Sequence, residues 1–299
     1  MNDKDLANIF EGGHSSGAPL DEILNLAQII DPRFDTGLLR AVHRDLSAYF
    51  TGAHPDFQKN TMPYHNLRHS LRVVLATVRL FHGLHCNHIR ISAVTLFKGL
   101  FAAYFHDSGM LLLENDPAKS GAEYIVGHEA RSIAFLTKYA NEKRFGANII
   151  TDCATIINYT NLESDPAIFA SHTSEIQMAG QVVGSADLLA QMADRYYLES
   201  LPLLFMEQQA GGTCTHRSPL ELMEHTANFY HNIVLRRLIT TFANTSNALR
   251  AHFRDRHTVN RNLYIDNIEK NINYLRKIVR KCKDIEEVYL YLKRSPPST

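Results

Sequence analysis

The chain has 299 residues, of which 45% are hydrophobic, enough to bury a sizeable core in one large domain or two smaller ones. Its 31 Lys and Arg residues balance its 31 Asp and Glu residues, so the charge gives no indication of a nucleic-acid partner. The longest apolar run, residues 93–105, contains Lys98 and is shorter than the roughly 20 residues that span a bilayer, so we expect no membrane partner.

The cysteines and the start of the chain bear on its location. No two of the four cysteines form a C-x-x-C pair, and a chain with this much core does not need disulfides. No apolar stretch follows the first five residues, so a secretory signal is not expected. We therefore expect a cytoplasmic protein with reduced, mostly buried thiols.

In chain order, the first feature is a turn-rich segment over residues 11–19, which we expect to be mobile. The first helix stops before Pro32, and residues 51–63 predict a loop. A helix follows Pro63, and its apolar face consists of Leu67, Leu71, Val74, Leu75 and Val78. The other helices are predicted, to within several residues, over 20–30, 37–50, 91–105, 122–140, 147–160, 174–194, 196–209, 219–243 and 260–281.

These elements give an all-α fold, because the chain has no useful run of alternating apolar and polar residues and no Asn-Gly or Asp-Gly hairpin signal. We expect an N-terminal segment over residues 1–36 and a helical body over residues 37–245. Residues 246–299 are expected to form a helical extension packed on the same body, with a disordered tail over 294–299.

Two histidines four residues apart, His65 and His69, follow Tyr64. On a helix this spacing places both side chains on one face, where both can bind one metal ion, or one can bind metal while the other faces a substrate. The alternative is a pair of surface or helix-start histidines. The zincin motif does not apply, because it requires Glu at the position of Asn66.

A His-Asp doublet, His106-Asp107, closes the almost wholly apolar helix predicted over 91–105. Burying an imidazole and a carboxylate side by side costs free energy unless they are paired or bound to a metal. Alternatively, the helix simply ends there and Asp107 begins the next loop. Asp187 also lies in an apolar helical stretch, where it needs a metal ion or an arginine such as Arg195 as its partner.

His69, the His106-Asp107 doublet and Asp187 come from three separate predicted helices and together provide the mixed nitrogen and oxygen set that suits a divalent transition metal. Such an ion lowers the pKa of its bound water and neutralises phosphate oxygens, and a carboxylate such as Asp107 can bridge two ions. We therefore expect one or two divalent ions as cofactors. The ligand set does not distinguish Mn, Mg, Fe and Zn.

The order of these four residues resembles the H…HD…D metal signature of the HD-domain phosphohydrolase superfamily, over about residues 45–210. The stretch from Tyr64 to His69 more specifically resembles the Y-H-N-x-x-H motif of class I cyclic nucleotide phosphodiesterases. The resemblance implies an HD-domain-like helical bundle with additional C-terminal helices. It also implies that His69 binds metal and that His65 is the general acid that protonates the leaving oxygen.

The chain departs from those enzymes in several places. After the doublet they continue to a His-Pro-Gly element, whereas this chain continues with Ser108-Gly109-Met110, and their purine-clamping glutamine has no secure counterpart. The GYP element of cyclic di-GMP hydrolases is also missing. His128 lies about twenty residues after the doublet, at a position where the resemblance implies a ligand of a second ion. The alternative is that His128 is a surface histidine at the start of a helix. A further histidine pair expected near residues 157–160 is absent.

We therefore expect a metal-dependent phosphohydrolase, foremost a phosphodiesterase acting on a nucleotide, cyclic nucleotides included, with His65 and Asp107 as catalytic residues. Its partner would be a small phosphorylated substrate, and the sequence does not indicate an oligomeric state. The alternatives are a phosphomonoesterase or nucleotide phosphohydrolase, and a non-catalytic HD regulatory module, which the full set of ligands disfavours. Four cations are candidate phosphate contacts or, alternatively, solvated surface charges: Arg68, Arg72, Lys119 and Arg131.

Overall fold

The computed structural model describes residue 9, residues 18–164, residues 172–292 and residue 294. Its α-helices are α1 (Ala18–Ile30), α2 (Thr36–Thr51), α3 (Leu67–Cys86), α4 (Ala93–Phe105), α5 (His128–Glu142), α6 (Ala147–Asn158), α7 (Ser174–Met192), α8 (Tyr197–Ala210), α9 (Pro219–Phe229), α10 (Leu235–Ile239), α11 (Ala248–His257), α12 (Leu263–Val279) and α13 (Ile285–Tyr289). Within these ranges there is no β-strand, only an isolated bridge between Phe57 and Leu113. The predicted all-α class is confirmed.

Helices α3 and α4 form the centre of the molecule. Helix α3 packs against α1, α4, α7 and α11, and α4 packs against α6 and α7 as well as α3. Ten of the thirteen residues of α4 are buried, as its mostly apolar sequence predicts. His69 lies in the first turn of α3 and His106 directly follows the end of α4, so the candidate site is built on the buried centre of the fold.

The first and last parts of the described chain pack on this centre. A Cβ atom on Gly83 of α3 would lie 2.0 Å from the backbone oxygen of Ala248, so glycine is what allows α11 to approach α3 this closely. Helix α1 is held by the fully buried Arg79, whose Nε donates to Glu22 at 2.7 Å and whose Nη1 donates to the hydroxyl of Tyr264 in α12 at 3.2 Å.

Two predicted helices have different bounds in the structure. The helix predicted over 122–140 begins only at His128, because residues 121–124 form a 3₁₀ turn with a capping box and Gly127 has a positive φ of 80°. The helix predicted over 219–243 is interrupted by a π-helical turn, in which the amide of Leu235 donates to the backbone oxygen of Tyr230 five residues earlier. The sequence did not predict α11 or α13.

The remaining expectations concern the ends of the chain, the cysteines and the membrane. Most residues of the predicted mobile segment (11–19) and of the predicted disordered tail (294–299) lie outside the residues that the structure describes. In the part of the chain that is described, the cysteines are free. Cys153 and Cys282 are buried, and Cys86 and Cys214 are partly buried. None of the described helices is both long and apolar enough to cross a membrane.

Candidate metal centre

The first histidine pair straddles the start of α3. The side chain of Asn66 accepts a hydrogen bond from the amide of His69 at 3.1 Å and caps the helix, which therefore begins at Leu67. His65 lies before the helix, so the expectation that both histidines share one helical face is wrong. The two rings are still neighbours, with centroids 5.8 Å apart, because the chain turns sharply at the cap.

The His-Asp doublet is held by a buried turn at the end of α4. Nδ1 of His106 donates to the backbone oxygen of Ala103 at 2.8 Å, since a carbonyl can only accept, and this fixes the lone pair of a neutral ring on Nε2. The hydroxyl of Ser132 in α5 donates to the backbone oxygen of His106 at 2.7 Å. A Cβ on Gly109 would lie 2.1 Å from the backbone oxygen of His128, so this glycine lets the start of α5 reach the doublet.

The structure brings the four predicted ligands together. Nε2 of His69 lies 3.1 Å from Oδ2 of Asp107 and 3.4 Å from Oδ1 of Asp187. Nε2 of His106 lies 3.2 Å and 3.6 Å from the same two oxygens. The alternative partner for Asp187 was Arg195, but the guanidinium of Arg195 lies over the ring of Tyr196, 5.1 Å from its centroid.

These atoms are arranged to bind a cation rather than to form hydrogen bonds with one another. Nε2 of His69, Nε2 of His106 and Oδ2 of Asp107 are buried, lie within 4.8 Å of one another, and have no hydrogen-bond partner among the residues that the structure describes. Their short separations therefore lack the alignment of hydrogen bonds. Buried polar atoms are almost always satisfied, and three ligand atoms that converge without the alignment of hydrogen bonds fit a divalent metal ion.

The electrostatics of the centre are those of a site that attracts positive charge. Burial lowers the pKa of His69, but the Asp107 and Asp187 carboxylates outweigh it and raise the pKa to about 9. Burial raises the pKa of Asp187, but His106 and His69 lower it to about 2. In the metal-free protein, protons on the imidazoles thus compensate the two carboxylates, and a metal ion must displace these protons to bind.

His128 faces the other oxygen of Asp107. Its Nδ1 donates to the backbone oxygen of Ile125 at 2.7 Å, and its Nε2 lies 3.4 Å from Oδ1 of Asp107. Burial lowers the pKa of His128, but Asp107 raises it to about 9. The two oxygens of Asp107 therefore face different histidines, the arrangement expected of a carboxylate that bridges two ions.

One residue of the site was missed in the sequence. Glu207 of α8 is almost fully buried, and its carboxylate accepts hydrogen bonds from the amide of Tyr64 at 2.6 Å and the amide of His65 at 3.2 Å. Its other oxygen lies 2.6 Å from Nδ1 of His65, which is the donor because the carboxylate accepts. This His65–Glu207 pair spans 142 positions of the chain, and no local pattern around Glu207 marks it.

The predicted phosphate-contacting arginines are engaged with the protein. Arg68 donates to Asp194 at 2.7 Å, and Arg72 forms an ion pair with the same carboxylate, which ties α3 to the end of α7. Burial raises the pKa of Asp194, but Arg72 and Arg68 hold it below its usual range. Arg131 donates to the backbone oxygens of residues 109 and 111 at 2.6 Å each and pairs with Asp116. These contacts favour structural roles for the arginines.

A protein-family model matches residues 53–245, well over half of the chain. The chain belongs to the Npun_R2479-like family. The Npun_R2479-like region contains the four candidate ligands together with His65, His128 and Glu207, so the whole centre lies within the matched residues. The family name carries no activity with it, and no curated protein matches the chain.

Proposed function

We propose that this chain is a metal-dependent phosphohydrolase whose substrate is a small phosphodiester, such as a nucleotide. The observation that carries the proposal is the set of three buried, unpartnered ligand atoms on His69, His106 and Asp107. Their order along the chain, together with Asp187, also resembles the HD-domain metal signature. An HD-domain-like arrangement of the surrounding helices is part of the same proposal.

The ligand atoms divide between two ions. His69, His106, Oδ2 of Asp107 and Oδ1 of Asp187 would hold the first, and Oδ1 of Asp107 with His128 would hold the second. The two carboxylates in this buried pocket would compensate half of the charge of two divalent ions. Bound divalent ions supply an activated water and stabilise negative charge on phosphoryl oxygens.

His65 is the proposed general acid. Its Nδ1 proton is held by Glu207, so its Nε2 is the atom that can carry the proton to a leaving oxygen. The nearby carboxylate fixes the tautomer and the orientation of the ring, as a carboxylate does in other acid–base pairs. The His65 side chain is 15% exposed, so solvent can return the proton after each turnover. A dedicated proton donor favours substrates with a basic leaving oxygen, such as a ribose hydroxyl.

The test is turnover by metal-stripped and metal-reloaded protein. The substrates are a chromogenic diester, cyclic nucleotides, dinucleotides, and nucleoside mono- and triphosphates. We expect metal-dependent cleavage of at least one diester, lost in Asp187→Asn and kept in Asp152→Asn, which alters a partly buried carboxylate paired with Lys98. Turnover of monophosphates or triphosphates alone would favour the alternative hydrolase functions. No metal-dependent turnover of any phosphoester would refute the proposal.

A further inference from the structure

A second group of metal-ligating side chains lies between α3 and α11. His82 and Cys86 are one helical turn apart on α3, and Asp255 is on α11. One ligand atom from each of the three lies within 4.8 Å of the others. Nε2 of His82 is 3.7 Å from Oδ2 of Asp255 and 3.9 Å from Sγ of Cys86, which is 3.5 Å from Nδ1 of the same ring. His82 is thirteen residues beyond His69, or about 20 Å along the helix, so the two centres are separate.

A buried neighbour orients the imidazole of His82. Nδ1 of His252 in α11 lies 3.2 Å from Nδ1 of His82, with the two rings nearly perpendicular at 89°. One of these nitrogens must carry the shared proton. When His82 carries it, its Nε2 presents a lone pair near Cys86 and Asp255, as in metal sites where the second ring nitrogen donates to a neighbouring group.

His252 adds an observation that points to the same place. It is fully buried, and its Nε2 has no hydrogen-bond partner within the described residues. If Nδ1 of His252 accepts the proton from His82, the Nε2 of a neutral His252 carries a hydrogen. His252 therefore orients the ring of His82 while one of its own buried nitrogens has no hydrogen-bond partner among the described residues. Burying that nitrogen costs free energy, which is hard to explain unless the orientation of His82 has a use.

We propose that His82, Cys86 and Asp255 bind a zinc ion. Nitrogen, sulfur and oxygen ligands together suit zinc, and three protein ligands leave its fourth position for water. Cys86 loses its thiol proton to solvent on binding, and the resulting thiolate and the carboxylate balance the charge of the ion. The side chain of Asp255 is 55% exposed, so the ion can reach the site.

The site would fasten α11 to the central helix. Two of its ligands are on α3, and the third is on a helix beyond the residues that match the family model. Arg254 and Arg256 flank Asp255, but both are exposed, so solvent and salt weaken their repulsion of a cation. The site does not depend on the proposed phosphohydrolase function.

The test uses Co²⁺ as a spectroscopic substitute for zinc in the full-length chain. A cobalt–thiolate bond gives a charge-transfer band in the near ultraviolet, and the centre around Asp107 contains no cysteine, so the band reports only a thiolate site. We expect the band in the wild type and in Cys214→Ser, which alters another partly buried thiol, and its loss in Cys86→Ser. No band in the wild type, or a band that survives in Cys86→Ser, would overturn the proposal.

Two further measurements keep the result independent of one variant. Asp255→Asn changes an exposed side chain and should weaken Co²⁺ binding at the thiolate site at least about tenfold. In the wild type, bound Zn²⁺ should protect Cys86 from alkylation by iodoacetamide, measured by mass spectrometry. Unchanged affinity in Asp255→Asn would remove the carboxylate from the ligand set, and unchanged alkylation of Cys86 would refute zinc binding to the thiol.

Discussion

Replacing Glu207 by glutamine isolates its effect on His65 from its structural role. The new side chain keeps an oxygen that can accept from the amides of Tyr64 and His65, as Oε1 does now. Its NH₂ group then stands opposite Nδ1 of His65 in place of an oxygen 2.6 Å away. Because two N–H donors that face each other cannot form a hydrogen bond, Nδ1–H of His65 loses its acceptor, while the backbone around Tyr64 stays in place.

The size of the effect follows from the bond that is lost. A hydrogen bond to a charged group contributes about 1.5–3 kcal/mol. If that bond holds the ring in the transition state for proton donation and has no counterpart in the variant, the rate of cleavage falls roughly 10- to 150-fold. The metal ligands are not altered, so the metal content of the variant should equal that of the wild type.

The assay compares two diesters with different leaving groups. Cleavage of a dinucleotide expels a basic ribose oxygen that needs a proton, whereas cleavage of a nitrophenyl diester expels an oxygen that does not. Glu207→Gln should therefore slow the dinucleotide by the full factor and the nitrophenyl ester much less. The control is Glu199→Gln, on the same helix, whose carboxylate accepts from the backbone of Arg294 at 3.3 Å. Equal slowing of both substrates, or unchanged rates, would refute the general-acid assignment.

Three other predictions follow from the same contacts. Asp187→Asn should weaken Mn²⁺ binding at least about tenfold in a calorimetric titration; unchanged affinity would exclude Asp187 as a ligand. His69 and His128 have pKa values of about 9 in the metal-free fold, above the ordinary 6.5, so metal affinity should rise with pH until about 9. The stability that these raised pKa values give the metal-free protein should be lost as pH rises through about 9. A metal affinity that does not change with pH would contradict this prediction. Arg79→Ala should lower the free energy of unfolding in urea by about 3–5 kcal/mol, because it removes a fully buried side chain and leaves the partly buried Glu22 carboxylate and the Tyr264 hydroxyl without that partner. Arg40→Ala at an exposed ion pair should change it by less than about 0.5 kcal/mol, and equal effects of the two substitutions would contradict the account.

The elements that the sequence predicted well are those that depend on local patterns. Helix α4 is apolar over most of its surface and is mostly buried, and the doublet ends it as expected. Asn66 shows where a prediction from spacing alone fails. Asparagine is a good cap residue and begins the helix here, whereas the spacing of His65 and His69 suggested a helix that runs through it. The π-helical turn after α9 shifts the helical period, which an analysis based on 3.6 residues per turn cannot detect.

The parts that could not be predicted depend on contacts between distant residues. Glu207 acts on His65 across the fold, and its own neighbours, Met206 and Gln208, give no signal of that role. Helix α11 is rich in cations and has a weak apolar pattern, so its packing against Gly83 is visible only in three dimensions. The types and order of the four candidate ligands can be read from the amino-acid sequence, whereas the direction in which their side chains point requires the structure.

The most direct test of the central claim is an anomalous-difference map of crystals soaked with Mn²⁺. The account predicts a peak bonded to Nε2 of His69, Nε2 of His106, and the carboxylates of Asp107 and Asp187. A map without a peak among these four side chains, or one with the Asp187 carboxylate turned away to an arginine, would contradict it.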